Sequence, residues 1–184
     1  MQFRFNFDDS SGTMHKWIIV AALAAVMGVT RLGHFGEFAG LPDASWAVFF
    51  LAGLWLADMV LFGAFFLLAW IIDLAAVALG TPADCFSPAY LFLIPAYGSL
   101  WIAGIATSRL SLAPVTVAVG AAAAFSIANL GMYLSASDPA LTALAYVEAV
   151  AGYFPHYLLT MAGFVSAGLG AAVLLQSRTP AAQQ

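Results

Sequence analysis

Charge is what this chain has least of. Of its 184 residues only 8% are charged and 64% are hydrophobic, whereas a soluble domain carries about 25% charged residues. So few charges cannot cover a water-facing surface, which excludes an ordinary soluble domain and points to an integral membrane protein. The five basic residues are scattered and form no patch, which argues against a nucleic-acid partner. Cysteine occurs once, as Cys85, so the chain closes no disulfide on itself and builds no zinc cluster of several thiolates. The single lysine, Lys16, has no G-x-x-x-x-G-K-[ST] around it; without a phosphate-binding loop the chain does not hydrolyse ATP by the usual route. The paired His-rich helices of haem or di-metal membrane enzymes are also missing. Only two acids, Asp58 and Asp73, fall inside apolar runs, too few for an extended proton or sodium relay. Concentrative transport by such a chain needs an external motor or an ion gradient.

What is there is apolar sequence, divided into runs. A membrane helix needs roughly 20 apolar residues. The first run spans Trp17 to Leu32; the leader before it, with Asp8 and Asp9, is unlike a signal peptide, and the run is expected to be retained as a span. From Trp46 to Leu79 the chain is too long for one span and rather short for two. Division near Asp58 gives a short second helix and a full third one. The fourth span is expected from Pro88 to Thr107, the fifth from Val115 to Leu134 with Pro114 in its first turn, and the sixth from Pro155 to Leu175. Between the last two, "ALAYVEAVAGYF" is less hydrophobic and suits the membrane interface. The expected fold is an all-α membrane protein, a bundle of six transmembrane helices forming one integral membrane domain over 1–184, with 1–16 a cytoplasmic N-terminal segment and 176–184 a polar tail. Six spans put both termini on one side. Positive residues favour the cytoplasm; Arg4, Lys16, Arg109 and Arg178 then fall inside and only Arg31 outside. The expected location is the inner (cytoplasmic) membrane. The long connections, after the first, third and fifth spans, face outward and carry Glu37, Asp43, Asp84, Asp138 and Glu148.

A few residues on that outer side have chemistry to offer. Cys85 lies in "GTPADCFSPAYLF", a polar break with Pro82 and Pro88 on either side. A lone cysteine is most often a small hydrophobe at a helix end. Before a helix N-terminus, however, the helix dipole favours its thiolate, while Asp84 beside it opposes that, and soft thiolates bind cobalt, copper and zinc. Asp73 sits in the outer half of the third helix, either as a functional intramembrane acid or as a carboxylate bonded to a neighbouring helix. Asp58 reads as a helix-turn residue at the inner face. His34 and Glu37 in "GHFGEF", with His156 and Cys85, form a possible metal-ligand set or a set of interfacial polar groups. The outer aromatics, among them Phe86, Tyr90, Tyr97, Tyr133, Tyr146 and Tyr153, read as an interfacial belt or as the lining of a pocket for a large flat ligand. On the first span, Ala21 and Ala25 form a small-xxx-small pair that permits close approach of another helix.

The stretches "HFGEFAGLPDASWAVFFLAG" (34–53) and "DCFSPAYLFLIPAYGSLW" (84–101) resemble the BtuM family. Its members are small solitary S-components of energy-coupling-factor transporters, with cobalamin as substrate. The resemblance covers most of the chain from His34 to Trp101; the later helices match only in hydropathy and length. It implies a six-helix S-component fold that binds the vitamin on the outer face through the loops after helices one, three and five. It implies that Cys85 is the axial ligand of the cobalt, that Asp73 and Tyr90 belong to the same site, and that the cyano ligand of cyanocobalamin is removed as the cysteine takes its axial position. His34, Phe86 and Tyr153 join them as candidate ligand contacts. The family's Ala-x-x-x-Ala motif, which docks the transmembrane coupling subunit, is matched by Ala21 and Ala25. The implied partner is thus an energy-coupling module of two ATPase subunits and that coupling subunit. Two alternatives remain: a permease for bare cobalt or nickel using His34, Glu37, Cys85 and His156, and a non-transport assembly subunit whose small-residue faces pack partners.

Overall fold

The apolar runs fold as helices, and the polar breaks between them set the ends. The computed structural model describes residues 10–34, 41–80, 88–110, 113–136 and 141–178. Among the described residues there are seven α-helices and no strand: α1 (Ser10–His34), α2 (Ser45–Trp55), α3 (Met59–Ala78), α4 (Leu93–Leu110, entered through a 3-10 turn at Pro88–Phe92), α5 (Ala113–Ser135), α6 (Ala143–Ala151) and α7 (Phe154–Arg178). Five segments among the described residues are long and apolar enough to cross a membrane: Gly12–Leu32, Met59–Ala78, Pro88–Leu110, Ala113–Ser135 and Phe154–Leu175. The chain is thus a helical, multi-pass membrane protein.

The short second helix differs in kind from the others. With 11 residues, α2 rises about 17 Å, well short of a hydrocarbon core of roughly 30 Å. All of it except Trp46 is buried, and it runs through the middle of the bundle rather than along lipid. Its close partner is α4. Gly53 and Gly104 face each other's helix across the crossing, and a Cβ on either would overlap backbone of the other, the carbonyl of Trp101 in one case and that of Phe50 in the other. Small residues that let backbones touch are how membrane helices gain packing contacts where no hydrophobic drive exists. Phe49 fills the core beside this crossing, stacked on Tyr97 at 4.2 Å between centroids.

The break at Asp58 falls where the sequence places it. Ala57 has φ 49, a left-handed conformation that costs a non-glycine residue free energy. Asp58 then caps α3, its side chain accepting from Val60 N at 3.0 Å. Lys16 of α1 donates to the other oxygen of Asp58 at 2.9 Å. At the far end of α1, Arg31 meets Asp73 of α3. Both pairs join residues 42 positions apart, so α1 and α3 run parallel and are fixed in one register. The anchors are 15 residues apart along α1, about 22 Å of helix.

The bundle therefore has a Lys16 end and an Arg31 end. The described residues flanking 35–40 and 81–87 lie at the Arg31 end: α1 finishes there at His34 and α3 at Ala78, followed by Gly80 in a positive-φ conformation (φ 112) suited to a helix C-terminus. α6 buries no residue and meets α5 through Tyr146, whose hydroxyl lies 3.3 Å from Asn129 Oδ1 and whose ring tilts against Tyr133. Leu144 and Val147 on α6 stay exposed.

Candidate functional site

Arg31 is the centre of the polar structure at its end of the bundle. It lies near the C-terminus of α1 and is only 6% exposed. An arginine withdrawn from water into an apolar bundle has to be met by acceptors, and here each of its nitrogens is. Nε donates to Asp73 Oδ1 and Nη2 to Asp73 Oδ2, both at 2.6 Å, in a bidentate fork. Nη1 lies 3.1 Å from Asp43 Oδ2, 3.0 Å from Ser45 Oγ and 3.0 Å from Tyr97 Oη. These partners come from the segment leading into α2, from α3 and from α4.

Asp73 itself is 2% exposed. Besides the guanidinium it accepts a hydrogen bond from the hydroxyl of Tyr90 in the turn before α4. Asp43 is the more accessible carboxylate, its side chain 24% exposed. It is oriented by its own neighbourhood, accepting from Ser45 N at 2.9 Å and from Ser45 Oγ at 2.6 Å. Thr30, buried one residue before Arg31, receives Ala44 N at 3.1 Å. One cation faces two carboxylates, so the ionised cluster carries one net negative charge.

Of the residues singled out from sequence, the structure brings Asp73 and Tyr90 together and places both beside Arg31. Cys85 and Phe86 lie outside the described residues, as do Glu37 and Asp84. His34 is the last residue of α1, and its side chain is outside the described set. Tyr153, 64% exposed, stands just before α7 with no described contact to the cluster. His156 is exposed in the first turn of α7 beside Tyr157. Among the described residues no three His, Cys, Asp or Glu side chains gather in a metal-binding group. Ala21 and Ala25 are exposed on the side of α1 away from its buried residues Leu23, Met27 and Arg31.

Two residues differ from their expected surroundings. Tyr97 was expected among the outer aromatics; it is 3% exposed and serves as a core ring with its hydroxyl on Arg31. Arg31 was expected only as a positive residue on the outer side. Part of the signal was in the sequence, since an arginine at the end of an apolar run must find an acid; which acid it finds depends on α1 and α3 lying side by side in register.

A separate cavity of about 330 Å³ lies on the flank between α1 and α7, floored by α2 and lined by apolar residues such as Ile18, Ala22, Val48, Leu51, Phe164 and Gly168. It has none of the convergent polar groups that orient a polar ligand. No known protein-family model matches the chain, and no curated protein sequence matches it.

Proposed function

We propose that this chain is the substrate-binding membrane subunit for cobalamin uptake, of the S-component type, with six spans, both termini cytoplasmic and the Arg31 end facing outward. The observation that carries the reading is the Asp73–Tyr90 bond. The resemblance singled out these two residues as parts of one site with Cys85, and they stand on the two elements, α3 and the turn before α4, that the Cys85 connection joins. In this reading Cys85 supplies a thiolate to one axial face of cobalt. A thiolate donates strongly, and as it takes its axial position cyanide leaves with its own electron pair, a ligand exchange without net redox. A corrin is a broad, partly apolar disc with carboxamide arms, which aromatic and backbone contacts would suit. His34, Phe86 and Tyr153 are proposed contacts from the same end.

Docking of a coupling subunit is supported by the outward position of Ala21 and Ala25 on α1, next to the apolar cavity between α1 and α7. With no phosphate-binding loop in the chain, two ATPase subunits reach it through that subunit. The location proposed is the inner membrane.

The test is a spectrum. Protein purified from cells supplied with cobalamin is expected to show corrinoid bands, and Cys85→Ser is expected to shift them. A colourless wild type that also fails to take up added corrinoid overturns the reading. Unchanged bands in Cys85→Ser remove the cobalt-ligand claim alone. Stoichiometric cobalt or nickel without corrin absorbance would favour a bare-metal permease instead.

A further inference from the structure

The cluster around Arg31 extends beyond what the Asp73–Tyr90 pair requires. Residues 35–40 and 81–87 connect segments whose described ends lie at this end of the bundle, and those two connections have four roots. The first root is the end of α1, which carries Arg31. The second is the segment leading into α2, held through Asp43 and Ser45. The third is the end of α3, held through Asp73. The fourth is the turn before α4, held through Tyr90 on Asp73 and, one helical stretch later, through Tyr97 on Arg31 itself. From the first root, a single guanidinium thus bonds directly or through one carboxylate to the other three.

We infer that Arg31 is the positioning residue of the ligand-binding end: buried and bonded through every nitrogen, it fixes the four roots from which both connections arise, without touching ligand. This rests on the cobalamin reading above. The residue type fits the task. A guanidinium offers five N–H groups in a planar fork and stays charged, so it holds a carboxylate in two places while its other arm reaches further oxygens. A lysine in its place keeps the charge but has one nitrogen, and cannot hold Asp73 by both oxygens while also reaching Asp43, Ser45 and Tyr97. The roots would then be tied with less precision, and the ligand would have to supply the ordering on binding, which lowers affinity.

The experiment compares wild type with Arg31→Lys, measuring corrinoid affinity and the cobalt bands of the bound form on protein kept below its unfolding transition. Expected is a loss of affinity of about tenfold or more together with altered bands, while circular dichroism shows the helices intact. Arg31→Lys that is folded and matches wild type in affinity and bands overturns the inference, since a merely structural ion pair would lower only the unfolding temperature. Should Arg31→Lys fail to fold, Arg31→Met with Asp73→Asn removes the charge from both partners and is read in the same way. Its effect is set against Asp73→Asn alone, and affinity no lower than in that single variant is again an overturning result. Failure of all these variants to fold would make the role structural and overturn the inference too. A wild type that binds no corrinoid is a different outcome: it defeats the cobalamin reading, and this inference with it.

Discussion

A carboxylate that is 2% exposed, as Asp73 is, persists as an ion only if its surroundings replace the water it gave up. The fork from Arg31 and the hydroxyl of Tyr90 do this with three donors. The pair is worth little relative to two well-packed apolar residues, but removing one member strands the other. Arg31→Met or Asp73→Asn alone is therefore expected to cost about 3–5 kcal/mol of stability. The double variant should cost clearly less than the sum, because the two residues belong to one network; unfolding in micelles measures the cycle, and additivity would contradict the coupling. Lys16–Asp58 is the opposite case. Its side chains are 27% and 33% exposed, and the pair is worth no more than about 1 kcal/mol. The hydrogen bond from Lys16 holds the Asp58 carboxyl below its usual range, with burial opposing it. A lowered carboxylate pKa means that the pair stabilises the fold above the ordinary Asp value of about 3.9. The contribution is lost as pH falls through the depressed value. Asp58→Asn keeps a helix-capping side chain and should lower the unfolding temperature slightly at neutral pH. That difference should vanish as pH falls through the depressed value; a gap that persists once the carboxyl is protonated would remove the ion pair as its cause.

At the scale of elements, the crossing of α2 and α4 is the tightest joint in the bundle, and it is made of backbone. Because a Cβ at Gly104 would meet the Phe50 carbonyl, and one at Gly53 the Trp101 carbonyl, neither clash is relieved by turning a side chain. Gly104→Ala is expected to cost about 1–3 kcal/mol even though alanine favours a helix. Gly63→Ala, where nothing lies within 4 Å, should be neutral or stabilising; equal effects at both positions in thermal melts would show that the crossing is not what requires glycine. The helix ends were legible in sequence because polar and turn-forming residues are rare in this chain and therefore informative. Asp58, Pro88, Pro114 and the polar stretch after Leu134 each fall within a few residues of an observed boundary. Helix faces were not legible. In a chain that is 64% hydrophobic, the lipid-facing and core-facing sides of a helix have nearly the same composition, so periodicity carries little contrast. Tyr97 and the buried α2 were hidden for this reason, and so was the partner of Asp73. Pairing Arg31 with Asp73 required knowing that α1 and α3 run side by side in register, which no local pattern states.

For the molecule as a whole, α1 links its two ends and both of its surfaces. Its inward side is pinned to α3 at Lys16 and at Arg31, and its outward side presents Ala21 and Ala25 between those two anchors. On one flank it borders the apolar cavity rather than packing on α7. A helix held this firmly at both ends can expose small residues without bending, and small residues on a lipid-facing surface allow another helix to come close. On the proposed function, a chain that binds a corrinoid and carries no phosphate-binding loop would need such a surface to receive work from a motor. The two activities should then separate. Ala21→Phe with Ala25→Phe adds bulk only to the outward side of α1, on exposed residues that make none of the Arg31 contacts. The variant is expected to fold, to co-purify with corrinoid at wild-type occupancy, and to lose uptake into cells that depend on supplied cobalamin. Loss of corrinoid binding together with uptake would show that this face supports the site itself. Wild-type uptake would show that the motor reaches the chain elsewhere.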